Sequence, residues 1–168
     1  MQAIRLFLAL GVPFALSACA GDNPANPPER GEWEMVAEID SVTIDGTIFP
    51  TEQLPPQFQS LQNTKRQCGE PMFVDPDWQQ DDLADRTGGQ CSFDRYDHTD
   101  TGASGAGTCR LEGSGTEYNP RFETDVSFGS DSYRTVIRMN GSMIVPQDGS
   151  THTVRIIAVQ EGTRLGDC

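Results

Sequence analysis

Arg121-Phe122-Glu123-Thr124-Asp125-Val126-Ser127-Phe128 alternates without a break. Phe122, Thr124, Val126 and Phe128 fall on one side of an extended chain, and Arg121, Glu123, Asp125 and Ser127 on the other. A period of two marks a strand with one buried and one wetted face. Downstream, Gly129-Ser130-Asp131-Ser132 turns the chain, and Tyr133, Thr135, Ile137 and Met139 form the next inward face. Asn140-Gly141 reads either as a hairpin turn or as a bulge within a longer strand to Val145. Gln147-Asp148-Gly149 turns again, and residues 153–160 form the last strand. That strand has Val154, Ile156 and Ala158 on one face and Ile157 and Val159 on the other, which suits a central or doubly covered position.

Upstream the same period holds from Cys91. Residues 91–97 read as a strand with Cys91 and Phe93 on one face, and residues 108–112 as the next, with Cys109 and Leu111 inward. Between them, residues 99–107 hold three glycines and no apolar bulk, and read as a loop. Gly31 to Ile39 is a further strand, with Trp33, Met35, Ala37 and Ile39 on one face. Val42-Thr43-Ile44, Asp45-Gly46 and Thr47-Ile48-Phe49 then make a hairpin, because Asp-Gly supplies the positive φ angles of a type I′ turn. Two helices are expected. Residues 51–62 carry Pro55 and Pro56 in the first turn, with Leu54, Phe58 and Leu61 sharing a face. Asp75-Pro76 reads as an N-cap followed by proline at the first helical position, opening an acidic helix to about Ala84. The expected fold is mainly β: an antiparallel meander curling into a partial barrel, with one or two short helices at one opening and two disulfides.

The N-terminus is of another kind. Arg5 is followed by an apolar run of about 11 residues, a length that fits a signal-peptide core and is too short for a bilayer span of roughly 20. The run ends in Leu16-Ser17-Ala18-Cys19, which resembles the lipobox of bacterial lipoproteins. That resemblance implies cleavage before Cys19 and lipid on its thiol; more than one acyl chain is what makes an anchor stable. Residues 1–18 are thus expected to be a lipoprotein signal peptide, residues 19–30 a flexible Pro/Asn-rich tether, and residues 31–168 a single β-rich domain. Ala20, rather than Asp, leans towards the outer membrane over the inner, with the domain facing the periplasm. The sequence has no twin arginine, which favours the general secretion route.

Removing residues 1–18 takes away one arginine and no acid, leaving 11 basic against 25 acidic residues. Such a surface repels phosphate backbones, which excludes nucleic acid as a partner. Four cysteines follow the anchor: Cys68, Cys91, Cys109 and Cys168. An even count in an exported domain reads as two disulfides. Of three possible pairings, Cys91–Cys109 with Cys68–Cys168 is favoured, since the first brackets a hairpin and the second ties the chain's end to the early part of the domain. No C-x-x-C is present, and only His98 and His152 could add nitrogen ligands, so no metal site and no cofactor are expected.

Several motifs look like sites and are weighed as such. Asp100-Thr101-Gly102-Ala103-Ser104 matches the triplet of aspartic proteases, but it lacks a second triplet to share a proton and a preceding apolar strand; it reads as a turn. Asp75, Asp77, Asp81, Asp82 and Asp85 lack the order of a calcium loop and read as a solvated helix face. Serine–histidine catalysis finds no G-x-S-x-G, and the two histidines read as surface residues. Trp33 is a core anchor, and Trp78 a candidate for lining a ligand opening.

Gly31-Glu32-Trp33-Glu34, Cys68 with Pro71 and Pro76, Cys91 with Cys109, and Arg164-Leu165-Gly166-Asp167-Cys168 stand in an order that resembles the bacterial domain-of-unknown-function 3617 family. The resemblance covers about residues 31–168 and implies architecture and export, with no chemistry attached. The expected function is a lipid-anchored, non-enzymatic envelope module that binds a partner or supports the envelope. The alternatives are a lipocalin-like carrier of a small hydrophobic ligand and an envelope hydrolase with an unrecognised site.

Overall fold

The computed structural model describes residues 25–53, 62–113, 116–145 and 148–168. Their strands are β1 (Gly31–Ile44), β2 (Thr47–Phe49), β3 (Asn63–Gly69), β4 (Cys91–His98), β5 (Gly102–Cys109), β6 (Leu111–Gly113), β7 (Thr116–Phe128), β8 (Ser132–Val145) and β9 (Ser150–Gly166), with helix α1 (Pro76–Thr87) between β3 and β4. All pairings are antiparallel, in the order β2-β1-β9-β8-β7-β5-β4. β3 and β2 share one edge of β1, and β6 and β5 share one edge of β7. The sheet ends at β2 and β4 without joining them, so it is an open, curled sheet.

The curl is set by side chains that meet across intervening strands. Trp33 of β1, Ala103 of β5, Val126 and Phe128 of β7 and Tyr133 of β8 form one cluster with Phe73. Ile39 and Val42 of β1 reach Tyr118 of β7 and Val154 and Ile156 of β9 in a second. Phe122 packs with Cys91 and Cys109 in a third, against which Leu83 of α1 rests. The alternation of 121–128 is therefore correct: Phe122, Thr124, Val126 and Phe128 are buried, and their neighbours Arg121, Glu123, Asp125 and Ser127 are exposed. β9 lies between β1 and β8, the central place its two apolar faces imply.

The strands are longer than their apolar stretches. β1 runs unbroken through Asp40, where a bulge between Ile39 and Ser41 shifts the phase so that Ile39 and Val42 share the inner face. The Asp45-Gly46 turn follows, with φ of 51° and 84° as a type I′ turn needs. Asn140-Gly141 is neither turn nor bulge: both pair regularly with β7. Gly141 is required there because a Cβ would sit 2.5 Å from the Cα of Pro120 opposite. Pro120 lies where β7's other edge passes from β6 to β5, a gap that needs no ladder donor. β9 extends well beyond residues 153–160 at both ends.

Two strands contradict the sequence reading. The expected loop 99–107 is mostly β5, and only residues 99–101 turn. Its small residues make room for aromatic rings: a Cβ on Gly105 would lie 2.6 Å from the Phe93 ring, and one on Gly107 2.6 Å from that of Phe122. A strand can thus lack apolar bulk when its neighbours' rings cover it. β3 was not expected at all, because Asn63-Thr64-Lys65-Arg66-Gln67 is polar and exposed; its ladder to β1 alone makes it a strand.

Of the two helices, α1 is present, capped by Asp75, which accepts from the Trp78 N–H at 3.0 Å. It continues past Ala84 to Thr87, where Gly88 adopts the left-handed conformation and the Gly89 N–H bonds Ala84 O. α1 guards the free edge of β4: Gln80 Oε1 accepts the Phe93 N–H at 2.9 Å, and Thr87 Oγ1 accepts that of Cys91. A 3-10 turn, Thr51–Gln53, opens the span expected for the other helix; the rest of that expectation, with Leu54, Phe58 and Leu61, falls on residues 54–61, which lie outside the described residues.

Candidate functional site

The candidate residues divide between the two ends of the sheet. One end receives the N-terminal chain. Residues 25–30, read from composition as part of a flexible tether, pack onto the domain. Asn26 is 6% exposed; its Nδ2 donates to Glu70 Oε1 at 2.8 Å and to Pro71 O at 2.9 Å, and its Oδ1 accepts from the Phe73 N–H at 3.1 Å. Pro28 is fully buried, the Glu29 N–H bonds Ser130 O, and the Trp33 indole donates to Glu29 O at 3.1 Å. Composition misjudges this stretch because a polar side chain can be buried once every hydrogen bond is met. The same end holds the close of the chain. Arg164 donates twice to Arg30 O, and Cys168 pairs with Cys68, Cα to Cα 5.9 Å.

The other disulfide, Cys91–Cys109, joins residues directly opposite each other on β4 and β5, with Cα atoms 4.1 Å apart. Both pairings are those favoured from sequence, Cys91–Cys109 for bracketing a hairpin and Cys68–Cys168 for tying the chain's end to the early part of the domain. Cys19, the expected lipidation site, lies outside the described residues.

The far end carries a polar constellation that the sequence reading missed. Asp45, in the β1–β2 turn, places Oδ2 2.7 Å from His152 Nδ1. His152 Nε2 is 3.1 Å from Ser150 Oγ. The outline is that of acid, base and nucleophile. Further hydrogen bonds tie the same residues to the backbone of both turns. Asp45 Oδ1 accepts the Thr153 N–H at 2.8 Å, and Asp148 Oδ1 accepts the Ser150 N–H at 2.8 Å. Hydrogen bonding from His152, then from the Thr153 N–H, holds the Asp45 carboxyl below its ordinary range. The Ser150 hydroxyl, then its N–H, does the same for Asp148. With Nδ1–H donating to Asp45, the neutral imidazole accepts at Nε2, where the Ser150 hydroxyl stands, and the same hydroxyl also serves Asp148. The nearby N–H groups of Asp45, Gly149 and Thr153 are already bonded, to Thr153 O, Val145 O and Asp45 Oδ1. None of these three is left to face a developing oxyanion. The arrangement clasps two turns together. A Ser-x-His on one strand was visible in sequence, but Asp45 is 107 residues away from His152 and only the fold joins them.

The other sequence candidates are dispersed. Trp78 stands on α1, 41% exposed. Asp75 serves as the helix cap and Asp82 pairs with Arg86 at 2.7 Å. Asp100 and His98 are exposed at the β4–β5 turn, where Thr99 bonds Gly102 O. On the outer face, Val36, Glu38, Asp40, Arg134, Val159 and Glu161 line a polar hollow of about 190 Å³, crossed by the Arg134–Glu161 pair. All three tyrosines are held neutral by burial, with Tyr96, Tyr118 and Tyr133 each pushed up to about 12. Their hydroxyls bond Phe73 O, Val154 O and Gln160 Nε2.

No curated protein and no solved structure matches the chain. A family model does, over residues 28–168, beginning at the buried Pro28. With the paired cysteines and the G-x-W-E strand in place, the chain belongs to the DUF3617 family, proteins of unknown function.

Proposed function

We propose that this chain is an exported lipoprotein whose disulfide-stapled β domain works at the cell envelope as a non-enzymatic binding or support module. Cysteine use carries the reading: of five cysteines, four are paired within the domain, and the fifth is Cys19, in Leu16-Ser17-Ala18-Cys19. Two disulfides suit an oxidising compartment. Its partners are a membrane through lipid on Cys19, the outer more than the inner, and an envelope protein; the acidic surface argues against nucleic acid. Cys19→Ser tests this in a bacterial host fed labelled fatty acid. The expected result is loss of label and release from the membrane fraction; a variant that stays in membranes removes the anchor.

The hydrolase reading draws on the Asp45–His152–Ser150 distances. Ester turnover that Ser150→Ala abolishes would establish it over the clasp. The carrier of a small hydrophobic ligand finds less support, because three clusters of side chains fill the inner face. Native extraction and mass spectrometry of a bound lipid would revive it.

A further inference from the structure

We infer that the domain has a fixed membrane-facing pole, made by residues 25–30, the 70–73 segment and the β7–β8 turn, and that its occupant is a phospholipid bilayer surface. The inference rests on the lipid anchor at Cys19 proposed above.

The argument is one of length. A tether free to residue 30 would allow the domain to stand off by about 3.5 Å for each of a dozen residues, roughly 40 Å, and to turn over. The free length is far shorter. Asn26 is gripped by Glu70, Pro71 and Phe73, and Pro28 is fully buried. Seven residue steps separate Cys19 from Asn26, at most about 25 Å. β1, of 14 residues, runs from that pole to the Asp45 turn, roughly 45 Å at about 3.3 Å per residue. A leash shorter than the body it holds cannot let the body invert. The Asn26 pole therefore stays within about 25 Å of the lipid, and the Asp45–His152–Ser150–Asp148 end is the one presented away from it, to whatever the module meets.

Energy transfer to a lipid-borne acceptor dye tests this on the full lipidated chain in vesicles of phosphatidylethanolamine and phosphatidylglycerol. A donor is placed by an unnatural amino acid at Ser130 in one sample and at Thr47 in another. Transfer from Ser130 is expected to be several-fold higher than from Thr47. Inserting a long Gly/Ser segment after Gly21 is expected to reduce the Ser130 signal and shrink the difference. Equal transfer from both sites in the natural chain, with acylation of Cys19 confirmed by mass, overturns the orientation and leaves the anchor standing. Absence of acylation overturns both.

Discussion

Removing the Cys68–Cys168 bond by the double substitution Cys68→Ala, Cys168→Ala isolates what a cross-link does to the unfolded chain. The bond closes a loop of 100 residues, and both cysteines are exposed. Little packing is lost with the sulfurs, and the β1–β3 ladder and the Arg164–Arg30 bonds still hold the native end in place. The stability change should therefore come from the freed unfolded ensemble, about 4.7 kcal/mol on the loop-closure relation. Urea unfolding followed by tryptophan fluorescence reads it, since Trp33 is 1% exposed in the native state. The midpoint is expected to fall and the m-value to rise, because an unstapled chain exposes more surface. A loss below about 1 kcal/mol with an unchanged m-value would refute the unfolded-state account. The loop of 18 residues closed by Cys91–Cys109 gives about 3 kcal/mol by the same relation. Those cysteines are buried against Phe122, so their replacement also leaves a cavity. Mild reductant should open Cys68–Cys168 first, the more accessible of the two bonds.

Four further outcomes follow. Asn26→Ala strands the buried Phe73 N–H, so about 1–3 kcal/mol should be lost in denaturation, with faster proteolysis at residues 25–30. Gly105→Ala should cost about 1–3 kcal/mol by overpacking. Phe93→Leu should recover part of that loss, since only side chains obstruct there; Gly107→Ala should resist rescue by Phe122→Leu, because the Ser92 carbonyl is also in the way. Asp45 and Asp148 are depressed carboxyls, so their contribution is present above the ordinary value of 3.8 and is lost as pH falls below it. Asp45→Asn, which keeps the turn's φ accessible, should flatten the acid limb of the stability profile. The tyrosines run the opposite way: their folded values near 12 exceed the ordinary 10, so stability is full below 10 and falls as pH climbs towards 12. Absorbance should show all three ionising together with unfolding.

The sequence is most legible where local chemistry and tertiary place agree. Phe122 to Phe128 alternate because one face is buried, Asp45-Gly46 turns because its dihedrals demand it, and Asp75-Pro76 opens a helix for capping reasons that need no other part of the chain. It is least legible where a residue's role is set by a distant neighbour. β5 looks like a loop until the rings of Phe93 and Phe122 are laid over Gly105 and Gly107. β3 is polar throughout, and only β1 beside it makes it a strand. Asn26 sits in a run of prolines and asparagines that composition assigns to solvent, and its partners lie 44 to 47 residues away. The Asp45–His152 contact is of the same kind.

The seating of Asn26 and Pro28 also decides how the domain bears load. A pull delivered through the N-terminal chain does not peel residues 27–30 away one at a time; it first meets the Asn26 bonds and the Trp33 indole clamp. Beyond them it runs along β1, which is laddered to β3 on one side and β9 on the other. Force applied along a strand held on both flanks strains many rungs at once, a shear geometry, where force applied across a sheet would unzip it. When the opposing load is taken at the Asp45 end, the long β1–β9 ladder is a tension member, and the domain should yield abruptly, at a force set by β1 leaving its neighbours; a load taken beside Gly166, which pairs with Glu32 at the start of β1, would instead unzip the ladder.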